Sequence, residues 1–128
     1  MSSRIRAELN GRANGAYKIS INDFVIKASA MAMRKVPEVN SYWSEKSIRR
    51  FRDVNINVAV NADAGLFTPL VPNTDNKGLV EISESIRSLA DKAKSGKLTS
   101  EELQVSICFH MLCSYDFMFR LALLQSPT

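Results

Sequence analysis

Few side chains here have the types and spacing that chemistry needs. His110 is the single histidine in 128 residues. A general base needs an orienting partner, and no acid stands at a recognisable spacing from it. Cys108 and Cys113 flank it in C-x4-C spacing, which is no zinc signature without two further ligands. The scarcity of cysteine fits a reducing compartment. The sequence has neither a nucleophile elbow nor a phosphate-cradling loop, so catalytic residues are read as none and metal ligands as none. Tyr42 and Trp43 have the chemistry to stack on a ligand, although buried aromatic anchors are commoner. Lys46, Arg49, Arg50 and Arg52 form the densest basic run, in a chain of net charge +4. This run reads as the solvated face of a strand. The charge is too weak to argue for nucleic acid, and no nucleic-acid partner is expected.

The elements that must position such residues are plainer. Val54, Ile56, Val58 and Val60 alternate with Asn55, Asn57, Ala59 and Asn61. That period predicts a strand with one buried face. Residues 62–65 supply turn chemistry, with Gly65 free to take a positive φ. Residues 66–71 return as a shorter arm, and Pro69 makes that arm an edge or a bulge, since proline cannot donate to the ladder. The stretch 54–71 is therefore a β-hairpin that the rest of the chain is built to cover.

Before it, residues 5–9 read as the end of a helix stopped by Gly11 and Asn14-Gly15. Ser20 and Asp23 resemble a capping box, opening a helix over about 21–35. Ile21, Phe24, Val25, Ala28, Met31, Ala32 and Val36 form its broad apolar stripe, read as the main core face. Pro37 ends it, and residues 48–51 are a short strand. After the hairpin, Leu79, Ile82, Ile86, Leu89, Ala90 and Ala93 lie on one face of a second helix, which Gly96 terminates. Thr99 and Glu102 make another capping box, opening a short turn.

Residues 105–124 then change character, with two formal charges, Asp116 and Arg120, in twenty residues. The length suits a membrane span, but His110, Asp116 and Arg120 break it, so no membrane partner is expected. The element order predicts an α+β fold: a mixed sheet with helices on one side. Such a hairpin wants further strands, and none is evident after Gln104.

The runs KISINDFVIKASAMAMRKVPEVNSYW, VNINVAVNADAGLFTPLV and KGLVEISESIRSLADKAKSGKLTSEEL resemble the catalytic domain of the dihydrolipoamide acyltransferases of 2-oxo acid dehydrogenase complexes. The resemblance covers Arg4 to Gln104. The ordered set N-D-F, V-P-x-x-N, G-L-x-T-P and K-A-x-x-G-K-L carries it. Thr68-Pro69 and Lys77-Gly78-Leu79 look like the acetyl-transferring pyruvate members.

This resemblance implies a chloramphenicol-acetyltransferase-like domain, here partial, in homo-trimers and larger cores with the other complex subunits in the mitochondrial matrix. No apolar leader is visible in MSSRIRAELN. The implied reaction passes an acyl group between dihydrolipoamide and coenzyme A, a substrate, with the lipoyl group on a separate or missing domain. The family's D-H-R-x-x-D-G and F-T-x-S-N motifs do not occur in these residues. The expected organisation is therefore 1–104, the N-terminal part of the catalytic domain, and 105–128, an unrelated apolar tail. His110 inherits no role. Three coenzyme A contacts carry over: Arg6 in IRAEL, Ser20 and Asn61. For Ser20 the competing role is the helix cap, and for Arg6 an exposed helix-end charge. The chain on its own is expected to be inactive, or to serve as a non-catalytic assembly or regulatory subunit.

Overall fold

The computed structural model describes residues 2–62, 65–104 and 108–110. Two of the three α-helices pack on one side of a small mixed sheet, an α+β arrangement. The alternating arm contributes β3 (Ile56–Val58), which lies between β6 (Leu70–Val71) and β7 (Cys108–His110). β6 runs antiparallel to it, β7 parallel. β7 corrects the expectation that no strand follows Gln104. Three residues of weak local pattern suffice because β3 offers them a ready ladder.

The hairpin forms as read but is interrupted midway. β4 (Val60–Ala62) pairs with β5 (Gly65–Phe67) in the register that joins β3 to β6. Pro69 therefore causes no bulge. Its carbonyl accepts from Val58 N at 3.0 Å, but it has no N–H to return, so the ladder breaks there and resumes. Its arm is an edge, as expected. Gly65 holds φ +129°, which an L side chain rarely adopts.

The expectation of a single buried face is corrected. Val54, Ile56 and Val58 face the helices, but Asn57 and Ala59 on the other side are also buried. Asn57 Nδ2 donates to the Thr68 carbonyl at 2.9 Å and to the Gln104 carbonyl at 2.8 Å. Leu70 N donates to the Glu102 carbonyl at 2.7 Å. These bonds lash the segment after the last helix onto the hairpin.

The first helix, α1 (Ser2–Arg12), is longer than predicted and runs through Gly11. Its stop is Asn14-Gly15, both at positive φ. α2 spans Ile21–Lys35 behind the predicted Ser20–Asp23 capping box. Its buried residues are Asp23, Ile26, Ala30 and Met33, of which Ile26, Ala30 and Met33 join the core. The predicted stripe is on the opposite side: Val25 is 40%, Met31 39% and Val36 49% exposed. At 100° per residue, the two sets lie half a turn apart. The helix has two apolar faces, and sequence periodicity picked the broader one.

β1 (Ser41–Ser44) and β2 (Ser47–Arg50) form a separate hairpin, with Trp43 and Ile48 paired and 73% and 72% exposed. Asn40 closes its base: Nδ2 donates to the Phe51 and Asp53 carbonyls and its own carbonyl accepts from Phe51 N. α3 (Leu79–Lys94) brings Ile82 and Leu89 to the core. It ends in a Schellman motif: Lys97 N donates to the Lys92 carbonyl and Gly96 N to that of Ala93. Among the described residues no helix is long and apolar enough to cross a membrane.

Glu102 pairs with Lys92 of α3 and accepts from Thr99 N. Lys92, then the Thr99 amide, hold its carboxyl below the usual carboxylate range. A depressed folded pKa adds stability above the unfolded value that fades as pH falls through the folded one. Glu102→Gln should therefore flatten the acid limb of a urea stability–pH profile and leave its alkaline limb unchanged in shape. Ile26→Ala should cost about 2–5 kcal/mol in urea denaturation, and Met31→Ala under about 0.5 kcal/mol. Equal costs would place both residues in the core.

Candidate functional site

Asn10 sets the geometry around Ser20. Its Nδ2 donates to the Ile19 carbonyl at 3.0 Å, and its Oδ1 accepts from Ile19 N at 2.8 Å. The paired bonds fix the approach to α2 against the second half of α1. Arg6 lies four residues before Asn10, on the same face of α1 and roughly 6 Å along the axis. It is half-buried, and its guanidinium has no hydrogen bond or ion pair among the described residues. Glu8, on the same helix, is paired with Arg12 instead.

Ser20 is exposed and caps α2. Its Oγ accepts from Asp23 N at 3.3 Å, and its own N donates to Asp23 Oδ2 at 2.7 Å. The cap uses the hydroxyl oxygen as an acceptor, so the hydroxyl proton stays available to a ligand. The two roles weighed for Ser20 are thus compatible.

α3 approaches the same segment. Ser83 Oγ donates to the Lys18 carbonyl at 2.8 Å and Arg87 Nη2 to the same oxygen at 3.5 Å. Arg87 therefore stands beside the Lys18–Ser20 segment from 69 residues away in sequence. Sequence reasoning missed it because an exposed helical arginine carries no signal of its tertiary neighbour. An available hydroxyl and an arginine along one short backbone segment suit an anionic, phosphate-bearing group.

Asn61 is elsewhere. It is exposed on β4, paired with Leu66. Val60 packs toward the core, so Asn61 points away from the helices. Arg6 is on α1 and Ser20 caps α2, and no hydrogen bond joins them among the described residues, while Asn61 is on the hairpin and points away from the helices. A polar cleft of about 340 Å³ beside the β1–β2 hairpin is lined by Arg34, Asn40, Arg52, Asp53 and Asp75, among others, and by none of the three. No group of three or more His, Cys, Asp or Glu that would hold a metal occurs among the described residues.

The family model of the 2-oxoacid dehydrogenases acyltransferase (catalytic domain) matches residues 2–113. The chain belongs to this family. The match reaches past Gln104, where the resemblance read from the sequence ends. The chain is 52% identical over 101 residues to the mitochondrial dihydrolipoyllysine-residue acetyltransferase component of the pyruvate dehydrogenase complex of Dictyostelium discoideum, covering 79% of this chain and 16% of that relative. It is 49% identical over 102 residues to component 2 of Arabidopsis thaliana, also named mitochondrial, covering 78% and 19%. It therefore spans under a fifth of the length of these acetyltransferase relatives. Among solved structures, the dihydrolipoamide acetyltransferase (E2p) of Azotobacter vinelandii matches with TM-score 0.79 and 27% identity, over 85% of this chain and 46% of that one. The cubic core of the pyruvate dehydrogenase multienzyme complex matches with the same score, identity and coverage.

The capping role of Ser20 separates from any ligand role by substitution. Ser20→Ala should lower stability by about 1 kcal/mol, whereas Ser20→Asp, an equally good cap, should leave it within about 0.5 kcal/mol. Chemical denaturation of the three proteins checks this.

Proposed function

We propose that residues 1–104 are the N-terminal part of a dihydrolipoamide acetyltransferase catalytic domain with a chloramphenicol-acetyltransferase-like sheet. In this reading they supply one wall of a coenzyme A site. The observation that carries it is the available Ser20 hydroxyl on the segment that Arg87 reaches, in a chain about half identical to named pyruvate dehydrogenase acetyltransferases over the matched length.

Coenzyme A is a substrate in this reaction. Its thiol exchanges an acetyl group with dihydrolipoamide, whose lipoyl group belongs to a domain outside these residues. A general base takes the proton of the attacking thiol, and a hydrogen-bond donor meets the charge developing on the thioester oxygen. Neither group is assigned to residues 1–104. Arg6 binds an anionic phosphate and Ser20 donates a hydrogen bond, while Asn61, on the other face of the hairpin, contacts the ligand outside this wall. The partners are copies of the same domain in a trimer and larger core, with the other complex subunits, in the mitochondrial matrix. A second reading, a non-catalytic assembly subunit, draws support from the likeness to a multienzyme core.

The test joins residues 1–104 to the segment that follows the matched region of the Dictyostelium relative. The fusion should transfer acetyl groups between acetyl-CoA and dihydrolipoamide, and the 128-residue chain alone should not exceed a no-protein blank. Turnover by the chain alone, or none by a soluble, folded fusion, overturns the proposal. In the fusion, Arg6→Ala should raise KM for the coenzyme about tenfold, the loss expected for one charge-assisted hydrogen bond, with kcat little changed. Ser20→Asp should raise KM as well, although it preserves the cap.

A further inference from the structure

We propose that the cleft beside the β1–β2 hairpin binds a small zwitterion, a free amino acid presenting an ammonium and a carboxylate group. Three segments wall it: the end of α2 with Met33 and Arg34, residues 51–54, and the 73–76 loop. None of Arg6, Ser20 and Asn61 lines it, so the proposal stands apart from the coenzyme reading.

Charge argues for the ligand class. Arg34, Arg52, Asp53 and Asp75 line the cleft, two cations and two anions. Among the described residues none of these four side chains makes an ion pair or a hydrogen bond. Arg34, Arg52 and Asp53 are exposed, and Asp75 is half-buried. Asp75 differs from an ordinary surface carboxylate, because its Oδ1 is shut off from solvent and has no partner among the described residues. A carboxylate stripped of part of its hydration and given no donor is costly. An ammonium group brought to its open side offsets that cost. Lys27 does not do so, since its Nζ is spent on the Asp75 and Lys77 carbonyls at 2.8 and 2.6 Å. The two arginines supply the complementary half, forks of donors that match a carboxylate. Asp53 and Asp75 repel a lone anion, and Arg34 and Arg52 repel a lone cation. The balanced lining selects a molecule that carries both charges.

The walls are held in place without using these groups. Thr74 is fully buried; its N donates to the Val54 carbonyl at 2.8 Å and its hydroxyl to that of Val71 at 2.9 Å. Those bonds fix the loop just before Asp75 against the segment just after Asp53. Asn40, also buried, donates from Nδ2 to the Phe51 and Asp53 carbonyls, which pins the backbone on either side of Arg52. Its Oδ1 has no partner among the described residues and can accept from an ammonium group. The volume, about 340 Å³, is at the small end of ligand pockets, roughly 300–1,000 Å³. That size fits a small molecule.

Amide NMR of the 128-residue chain, titrated at neutral pH with L-alanine, propionate or ethylamine, tests this. L-alanine should give saturable shifts at the Asn40 side-chain amide and the backbone amides of Asp53, Asp75 and Asn76, with a dissociation constant in the millimolar range. Propionate and ethylamine carry one charge each and should bind about tenfold more weakly or worse. Asp75→Asn and Arg52→Gln should each weaken L-alanine about tenfold. Lys46→Gln, in the turn of the β1–β2 hairpin, should leave it unchanged. Should Asp75→Asn fail to fold, Arg52→Gln carries the test, because its side chain is exposed and unpaired. The proposal is overturned if L-alanine gives no saturable shift at these amides, or if either single-charge probe binds as tightly. Binding indifferent to the cleft substitutions overturns it too.

Discussion

Burial of residues 54–58 on both sides is the constraint on which the rest of the structure depends. Val54, Ile56 and Val58 supply the floor on which α2 and α3 pack. The opposite side places the amide of Asn57 at 1% exposure. A buried amide without partners is costly, so its bonds to the Thr68 and Gln104 carbonyls dictate where two other segments run. The hairpin return is held at Thr68, and the chain after α3 is drawn across the sheet. Glu102 then joins that segment to β6 through its carbonyl and to α3 through Lys92. One apolar alternation and one asparagine therefore organise most of the long-range geometry.

The helical side is tied by polar contacts of the same kind. Asn10 pairs with Ile19, and Ser83 and Arg87 reach the Lys18 carbonyl. Each satisfies backbone groups on the irregular segment between α1 and α2, which no regular ladder serves. The result is a fixed junction of three helices at Ser20. Its functional interest is a consequence of this packing: the Ser20 cap hydroxyl and Arg87 are held on one segment because the backbone there needs partners.

α2 shows how an apolar pattern can be read correctly as a pattern and wrongly as a direction. Both stripes obey the 3.6-residue period. The broader one, from Ile21 to Val36, looked like the core because it holds more apolar residues. The core took the narrower one, whose Ala30 and Met33 lie over the sheet next to Ile26. The first stripe is left uncovered by the described residues, consistent with a domain whose solved relatives are about twice as long as the shared part.

By itself the sequence determined the elements and their punctuation. The Ser20–Asp23 and Thr99–Glu102 boxes, the Asn14-Gly15 stop, the Gly96 terminator and the register of the hairpin around residues 62–65 follow from local rules: which side chains satisfy orphan backbone groups, and which residues tolerate positive φ. The ordered family motifs were legible for the same reason, being local strings. Tertiary structure alone decided which face of α2 is inside, that Asn57 and Ala59 are buried, that residues 108–110 make a strand, and that Arg87 stands beside Lys18 while Asn61 is on the other side of the hairpin. Those outcomes depend on what packs against a residue from far along the chain, and periodicity along one segment carries no record of its neighbour.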